Sequence, residues 1–247
     1  CPPFSIAGKQ LGAEDERNLF PAALRVISET KPKAIMIENV RGFLGAVFED
    51  YRGQLKRHLE KLGYEAQWRL FNASDFGVPQ LRPRVVIVAL RNDIKDNFEW
   101  PTPFPHNART VGETLADLMR ANDWRGVDNW KKNADDIAPT LVGGSKKHGG
   151  ADLGPSRAKK AWVAMGVNGK SLADAAPERD FVGMPRLTLR MCARLQGFPD
   201  SWQFSGKKTA AYRQIGNAFP PPVAEAVASK ISEAIASKRS VYYRLAG

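Results

Sequence analysis

The chain has 247 residues, with 37 lysines and arginines against 26 acidic residues, a net charge of +11. At 43% hydrophobic and 26% charged residues it is not a wholly disordered chain, and two cysteines, Cys1 and Cys192, cannot build a disulfide scaffold or a four-cysteine metal site. No run approaches the roughly 20 apolar residues of a membrane span and no export leader opens the chain, so a soluble, cytoplasmic protein with no membrane partner is expected.

Leu19, Phe20, Ala23, Leu24, Val26 and Ile27 fall at helical spacing and predict an amphipathic helix over residues 16–29. Residues 33–40 hold a short apolar run followed by Glu38 and Asn39, the pattern of a buried parallel strand that delivers polar side chains at its carboxyl end. A second amphipathic helix is predicted over 45–62, closed by Gly63. Tyr64, Ala66, Trp68 and Leu70 alternate with polar residues as in a half-buried strand, and 84–90 is a continuous apolar run, another buried strand. This alternation implies a mixed or parallel α/β sheet. After Trp100, Pro101, Pro103 and Pro105 end the regularity, and only 110–120 reads as helical before residue 185. Helices are predicted again over 188–195 and 221–237, the latter opened by Pro220, Pro221 and Pro222. The expected organisation is a catalytic α/β domain over 1–100, an inserted loop-rich domain over 101–185, and a return to the catalytic domain over 186–247.

The basic excess is uneven: 15 basic and 13 acidic groups over 1–100, 12 and 10 over 101–185, and 10 and 3 over 186–247. Such a field suits a phosphate backbone, and equally a solubilising surface. Lys146, Lys147, Arg157, Lys159 and Lys160 lie in a glycine-rich stretch that suits a polyanion contact or a plain solvated loop. The three histidines, His58, His106 and His148, are too dispersed for a metal site, and none is expected.

Six motifs then follow in order. They are Cys1-Pro-Pro-Phe-Ser-Ile-Ala-Gly-Lys9, Asp15-Glu-Arg-Asn-Leu-Phe20, Glu38-Asn-Val40, Gln80-Leu-Arg-Pro-Arg84, the 186–199 segment ending Ala193-Arg-Leu-Gln-Gly-Phe-Pro199, and Gln214-Ile-Gly-Asn-Ala-Phe-Pro-Pro-Pro-Val223. Together they resemble the DNA cytosine-5 methyltransferases of bacterial restriction-modification systems. The resemblance spans everything except 101–185, a region variable in that family. It implies a Rossmann-like S-adenosylmethionine-dependent methyltransferase sheet whose N-terminal part is missing from this chain, with 101–185 as the target-recognition domain.

By that resemblance, Cys1 is the nucleophile that adds to C6 of cytosine, a step that suits a thiolate near neutral pH. Glu38 is then the acid that meets N3 and the exocyclic amine, its proton affinity expected to be raised by burial, with Asn39 beside it. Arg84 reaches the cytosine O2. Arg82, two residues away on an extended segment and so on the same face, is expected to hold the catalytic loop and phosphates. Ser5 and the following glycines, Gly8 and Gly12, resemble the loop that closes on DNA. Leu19, Asn217, Ala218 and Phe219 are the expected contacts to S-adenosyl-L-methionine, although a Gly-Asn turn before prolines is also an ordinary helix entry. Double-stranded DNA is the expected partner, with the base flipped out and Lys146, Lys147, Arg157, Lys159 and Lys160 meeting it, and His148 held more loosely. The enzyme is expected to act as a monomer on DNA.

Three other readings stand beside this one. The first is the catalytic and recognition chain of a split methyltransferase whose companion chain supplies the cofactor loop. The second is a hydrolase with an N-terminal cysteine nucleophile, which Pro2 and Pro3 and the downstream motifs disfavour. The third is a DNA-binding module without catalysis, against which Cys1, Glu38 and Arg84 speak.

Overall fold

The computed structural model describes residues 2–6, 10–104, 108–143 and 150–245, with side chains through residue 237. The chain divides into two compact units. The first comprises Cys1–Phe71, Pro83–Thr102 and Glu225–Gly247, and the second Asn72–Arg82 and Pro103–Ala224.

In the first unit, strands β1 (Ala34–Val40), β4 (Pro83–Arg91) and β2 (Tyr64–Asn72) form a sheet in the order β1-β4-β2. β4 lies between the other two, which is why Val85 to Leu90 is unbroken apolar sequence, each residue at most 1% exposed. β1 pairs with β4 antiparallel, Ala34 opposite Leu90 and Val40 opposite Arg84, so the parallel arrangement expected of β1 is corrected. A continuous apolar run reports burial on both faces and carries no information on strand direction.

Helix α1 (Phe20–Thr30) begins later than the periodicity suggested. Asp15 accepts the main-chain N–H of Arg17 and Asn18 Oδ1 accepts that of Phe20, so these short side chains hold the preceding segment outside the helix. Helix α2 (Glu49–Lys61) follows a short 3-10 turn (Ala46–Phe48) and ends at Gly63, whose φ of 87° supplies the expected left-handed stop. The two helices bury Phe20, Ile27, Leu55 and Leu59 with Val85, Ile87 and Ala89 of the sheet in one core.

The second unit is more helical than its composition indicated. It contains α3 (Val111–Met119), α4 (Val127–Asn133), α5 (Ser156–Ala164), α6 (Leu189–Leu195) and α7 (Lys208–Asn217), with a two-residue parallel bridge between β3 (Gln80–Leu81) and β5 (Ala138–Pro139). Only α3 and α6 were legible. Helix α4 buries Val127 and Trp130 and helix α5 only Trp162, and so few apolar positions leave no 3.6-residue period to read. These tryptophans pack with Leu115, Met119, Met191 and Tyr212 in one core. Residues 186–224, read as a return to the catalytic domain, group by contacts with 103–185. The last helix, α8, spans Pro221–Leu245 and opens on the proline run.

No helix among the described residues is long and apolar enough to cross a membrane, and no cluster of metal-ligating side chains occurs among them.

Candidate active site

Cys1 lies outside the described residues, but the residues that follow it in sequence do not. Pro2–Phe4 is a 3-10 turn anchored by Phe4, which is fully buried among aromatic rings. Its ring centroid lies 5.7 Å from Phe20, 5.2 Å from Phe43 and 5.0 Å from Phe48, all edge-on, an arrangement that adds about 0.5–1.5 kcal/mol per pair beyond burial. Gly42, two residues past β1, sits directly against this turn: a Cβ there would be 2.1 Å from the Phe4 carbonyl oxygen. Main chain meets main chain, so nothing larger than hydrogen fits. The Pro2–Phe4 turn is thereby held against Gly42, which follows β1 by two residues.

This contact gives a direct expectation. Gly42→Ala should cost about 1–3 kcal/mol of stability by overpacking, and lower turnover more than about tenfold because the Cys1 turn must move. A melt and a turnover number at saturating substrates check both, and parental values would show that the turn does not rest on Gly42.

Glu38 and Arg84 are brought together by strand register. Glu38 lies opposite Val86, and Arg84, two residues before Val86, is its diagonal neighbour on the same face. Arg84 Nε lies 2.5 Å from Glu38 Oε1, with the two side chains 15% and 30% exposed respectively. Arg84 Nε makes no aligned hydrogen bond, so the contact is a charge pair, and Nη1 donates to the Pro83 carbonyl at 2.9 Å. Burial pushes the Arg84 guanidinium below its ordinary value and the charge of Glu38 opposes that shift. The deep burial expected of Glu38 is not found; its carboxylate stays partly open to solvent. Asn39 points to the opposite face of β1, is 2% exposed, and accepts the main-chain N–H of Val40 at 2.8 Å. It braces the strand end and does not stand beside Glu38.

Arg82 and Arg84 have different partners. Arg82 falls between β3 and β4 and belongs to the second unit, where it is 1% exposed. Its guanidinium donates to the carbonyls of Leu141 at 2.6 Å, Gly216 at 2.8 Å and Ala218 at 3.0 Å. Gln80 and Gln196, both fully buried, complete the network. Gln80 Nε2 donates to the Leu195 carbonyl and to Gln196 Oε1, Gln80 Oε1 accepts from Leu141 N–H, and Gln196 Nε2 donates to the Ala218 carbonyl. Three buried side chains thus join four separate segments of the sequence. A guanidinium enclosed by carbonyls offers no edge to a phosphate, which corrects the role expected of Arg82. Gln80 and Gln196 stood within the motifs, but no sequence signal separates a buried glutamine from a solvent-facing one.

The remaining expected contacts fall as follows. Leu19 is 74% exposed in the first unit, just ahead of α1. In the second unit Asn217 is exposed at the end of α7, and Ala218 and Phe219 are half-buried. Ser5 is half-buried, its N–H donating to the Pro2 carbonyl at 3.4 Å. Gly8 lies outside the described residues, whereas Gly12, at φ 53°, is fixed against the Phe48 ring. Lys146, Lys147 and His148 also lie outside. Arg157, Lys159 and Lys160 stand on helix α5 and not on a loop; Arg157 and Lys160 are exposed, while Lys159 pairs with Asp152 at 2.7 Å. Part of the basic excess after residue 186 is neutralised internally: Arg194 pairs with Asp117 and Asp200, Lys208 with Asp174, and Lys230 with Glu233. Cys192 is fully buried and burial raises its thiol far above the ordinary range, so it is a core residue and no nucleophile.

The profile of the C-5 cytosine-specific DNA methylases matches residues 1–233, and the chain belongs to that family. It is 57% identical over 238 residues to the Type II methyltransferase M.NaeI of Lentzea aerocolonigenes, covering 95% of this chain and 57% of that protein. It is 55% identical to the Type II methyltransferase M.NgoMIV of Neisseria gonorrhoeae, covering 95% of this chain and 75% of that protein. The chain therefore spans little more than half the length of the first of these relatives. In fold it is similar to the Entamoeba histolytica methyltransferase EhMeth, with a TM-score of 0.55 at 16% identity over 96% of this chain and 75% of the other. It is likewise similar to a Spodoptera frugiperda DNMT2 variant, with a TM-score of 0.53 at 17% identity over 95% of this chain and 77% of the other.

Proposed function

We propose that the protein is a DNA cytosine-5 methyltransferase of a restriction-modification system, acting on a cytosine flipped out of a specific duplex site. The observation that carries this reading is the Glu38–Arg84 pair on adjacent strands, at the end of β1 where Gly42 seats the turn leading from Cys1. Family membership supports it independently.

The roles follow from the chemistry of the ring. The Cys1 thiolate forms a bond to C6, and the C5=C6 electron pair moves into the ring as charge develops towards N3. Glu38 donates the proton that neutralises N3, and Arg84 meets O2 while holding the Glu38 carboxyl in place. C5 is then nucleophilic and takes the methyl group. Transfer of the C5 proton to solvent water and departure of the Cys1 sulfur as thiolate restore the C5=C6 bond while N3 returns its proton to Glu38, so nucleophile and acid are both regenerated. A base must leave the stack for C6 to be reached at all.

S-adenosyl-L-methionine, when bound, supplies an electrophilic methyl group on a sulfonium. The residues present fit such a group: Leu19 leaves an apolar side chain 74% exposed. Separately, Asn217 presents an exposed amide beside the half-buried Phe219. Arg157 and Lys160 on α5 remain the described basic side chains proposed to meet DNA, in a recognition region over 101–185.

The test is covalent trapping. The protein is incubated with S-adenosylmethionine and a duplex library carrying 5-fluorocytosine, whose C5 substituent cannot leave as a proton does. A methylated fluorocytosine adduct on the Cys1 peptide, seen by mass spectrometry, is expected. Methylated DNA with the adduct on another residue would overturn the role of Cys1, and cleavage of small amides without cofactor would favour a hydrolase.

A further inference from the structure

Arg82 is a cation enclosed in the second unit, and its guanidinium donates to three main-chain carbonyls and, at 3.4 Å, to Gln80 Oε1. Two of its acceptors, the carbonyls of Gly216 and Ala218, lie at the carboxyl end of α7 and flank Asn217 in sequence. Carbonyls at a helix end have no partner within the helix and carry the negative end of its dipole, so a guanidinium there both satisfies and neutralises them. The third acceptor, the Leu141 carbonyl, belongs to a segment that touches the same turn. A Cβ on Gly216 would lie 2.5 Å from Gly143 N and 2.6 Å from the Val142 carbonyl carbon, so the two main chains are in contact. A Cβ on Gly143 would lie 2.4 Å from Asn217 Oδ1. Gln196 adds a second donor to the Ala218 carbonyl, at 2.6 Å.

The outcome is specific. Main chain on both sides of Asn217 is held by buried charge-assisted hydrogen bonds, its amide rests against Gly143, and the residue itself remains exposed. That is how a rigid contact is presented to a ligand without fixing the contact atoms by burial. A lysine in place of Arg82 would keep the charge but has no planar fork with which to reach three carbonyls.

We propose that Arg82 is a positioning residue for the cofactor, acting through the Gly216 and Ala218 carbonyls to fix the Asn217–Phe219 turn against Gly143. This rests on the reading that the turn meets S-adenosylmethionine. Gly143 is the finer probe, because the nearest atoms a methyl group there meets are those of the Asn217 side-chain amide, whereas the same change at Gly216 meets backbone.

The experiment measures two things in the parent, Arg82→Lys and Gly143→Ala: amide hydrogen exchange over residues 214–219, and affinity for S-adenosylhomocysteine by calorimetry, alongside duplex affinity. Arg82→Lys should speed exchange over 216–219 at least about tenfold, the equivalent of some 1.4 kcal/mol. It should weaken S-adenosylhomocysteine by a similar factor while duplex affinity stays within about twofold. Gly143→Ala should weaken S-adenosylhomocysteine comparably with its melting temperature within about 3 °C of the parent. Faster exchange in Arg82→Lys with unchanged S-adenosylhomocysteine affinity would overturn the positioning role, and unchanged exchange would overturn the clasp. A parent that binds duplex but no S-adenosylhomocysteine would instead overturn the cofactor reading, and the proposal with it. An Arg82→Lys chain too unstable to measure leaves Gly143→Ala to decide, since parental affinity in that variant overturns the proposal by itself.

Discussion

Cys1→Ser is expected to reduce methyl transfer below detection while leaving duplex affinity within about threefold, some 0.6 kcal/mol. A serine hydroxyl has almost no anion to offer at neutral pH, whereas a thiol is partly ionised and is a far softer nucleophile for an electron-poor ring carbon. Position 1 is not a DNA anchor in this mechanism, so binding and chemistry should separate. Single-turnover methyl transfer and a filter-binding isotherm on the same preparation read the two. Turnover at the parental rate would remove Cys1 from the mechanism, and loss of duplex binding in parallel would assign it to the binding surface.

Glu38→Gln carries the second large effect, a fall in turnover of about 10²- to 10⁴-fold, the usual worth of a positioned proton donor. The amide keeps the shape of the carboxyl and can still hydrogen-bond a base edge, but it cannot deliver a proton to N3. It also removes the charge facing Arg84, whose side chain is only 15% exposed, so some stability is lost with the rate. The two losses are told apart by measuring turnover well below the melting temperature, where the fraction folded is not limiting. Duplex affinity should change less than about threefold. A rate within about twofold of the parent would exclude Glu38 as the acid.

The amino-acid sequence by itself determined the family to which the chain belongs. Six short motifs in fixed order carry that resemblance and name the residues proposed as nucleophile, acid and arginine, since those residue types stand in the chain whatever their surroundings. It also determined the strands, since apolar runs such as 84–90 must be buried wherever they lie. What it did not contain was the partner of each polar side chain. Arg82 and Arg84 are two residues apart and look equivalent, yet one is enclosed by the carbonyls of Leu141, Gly216 and Ala218 and the other pairs with Glu38. That difference arises from where the strand breaks between β3 and β4 and from residues 59 to 136 positions away. The direction of β1 was hidden for the same reason, because pairing is a property of two strands and the apolar pattern records only one. Lys159, one of the expected DNA contacts, pairs with Asp152 seven residues before it, and Asn39, adjacent to Glu38 in sequence, faces away from it. Charge and spacing are local quantities. The acceptor that a buried donor finds is set by packing of distant segments, and only the tertiary structure decides it.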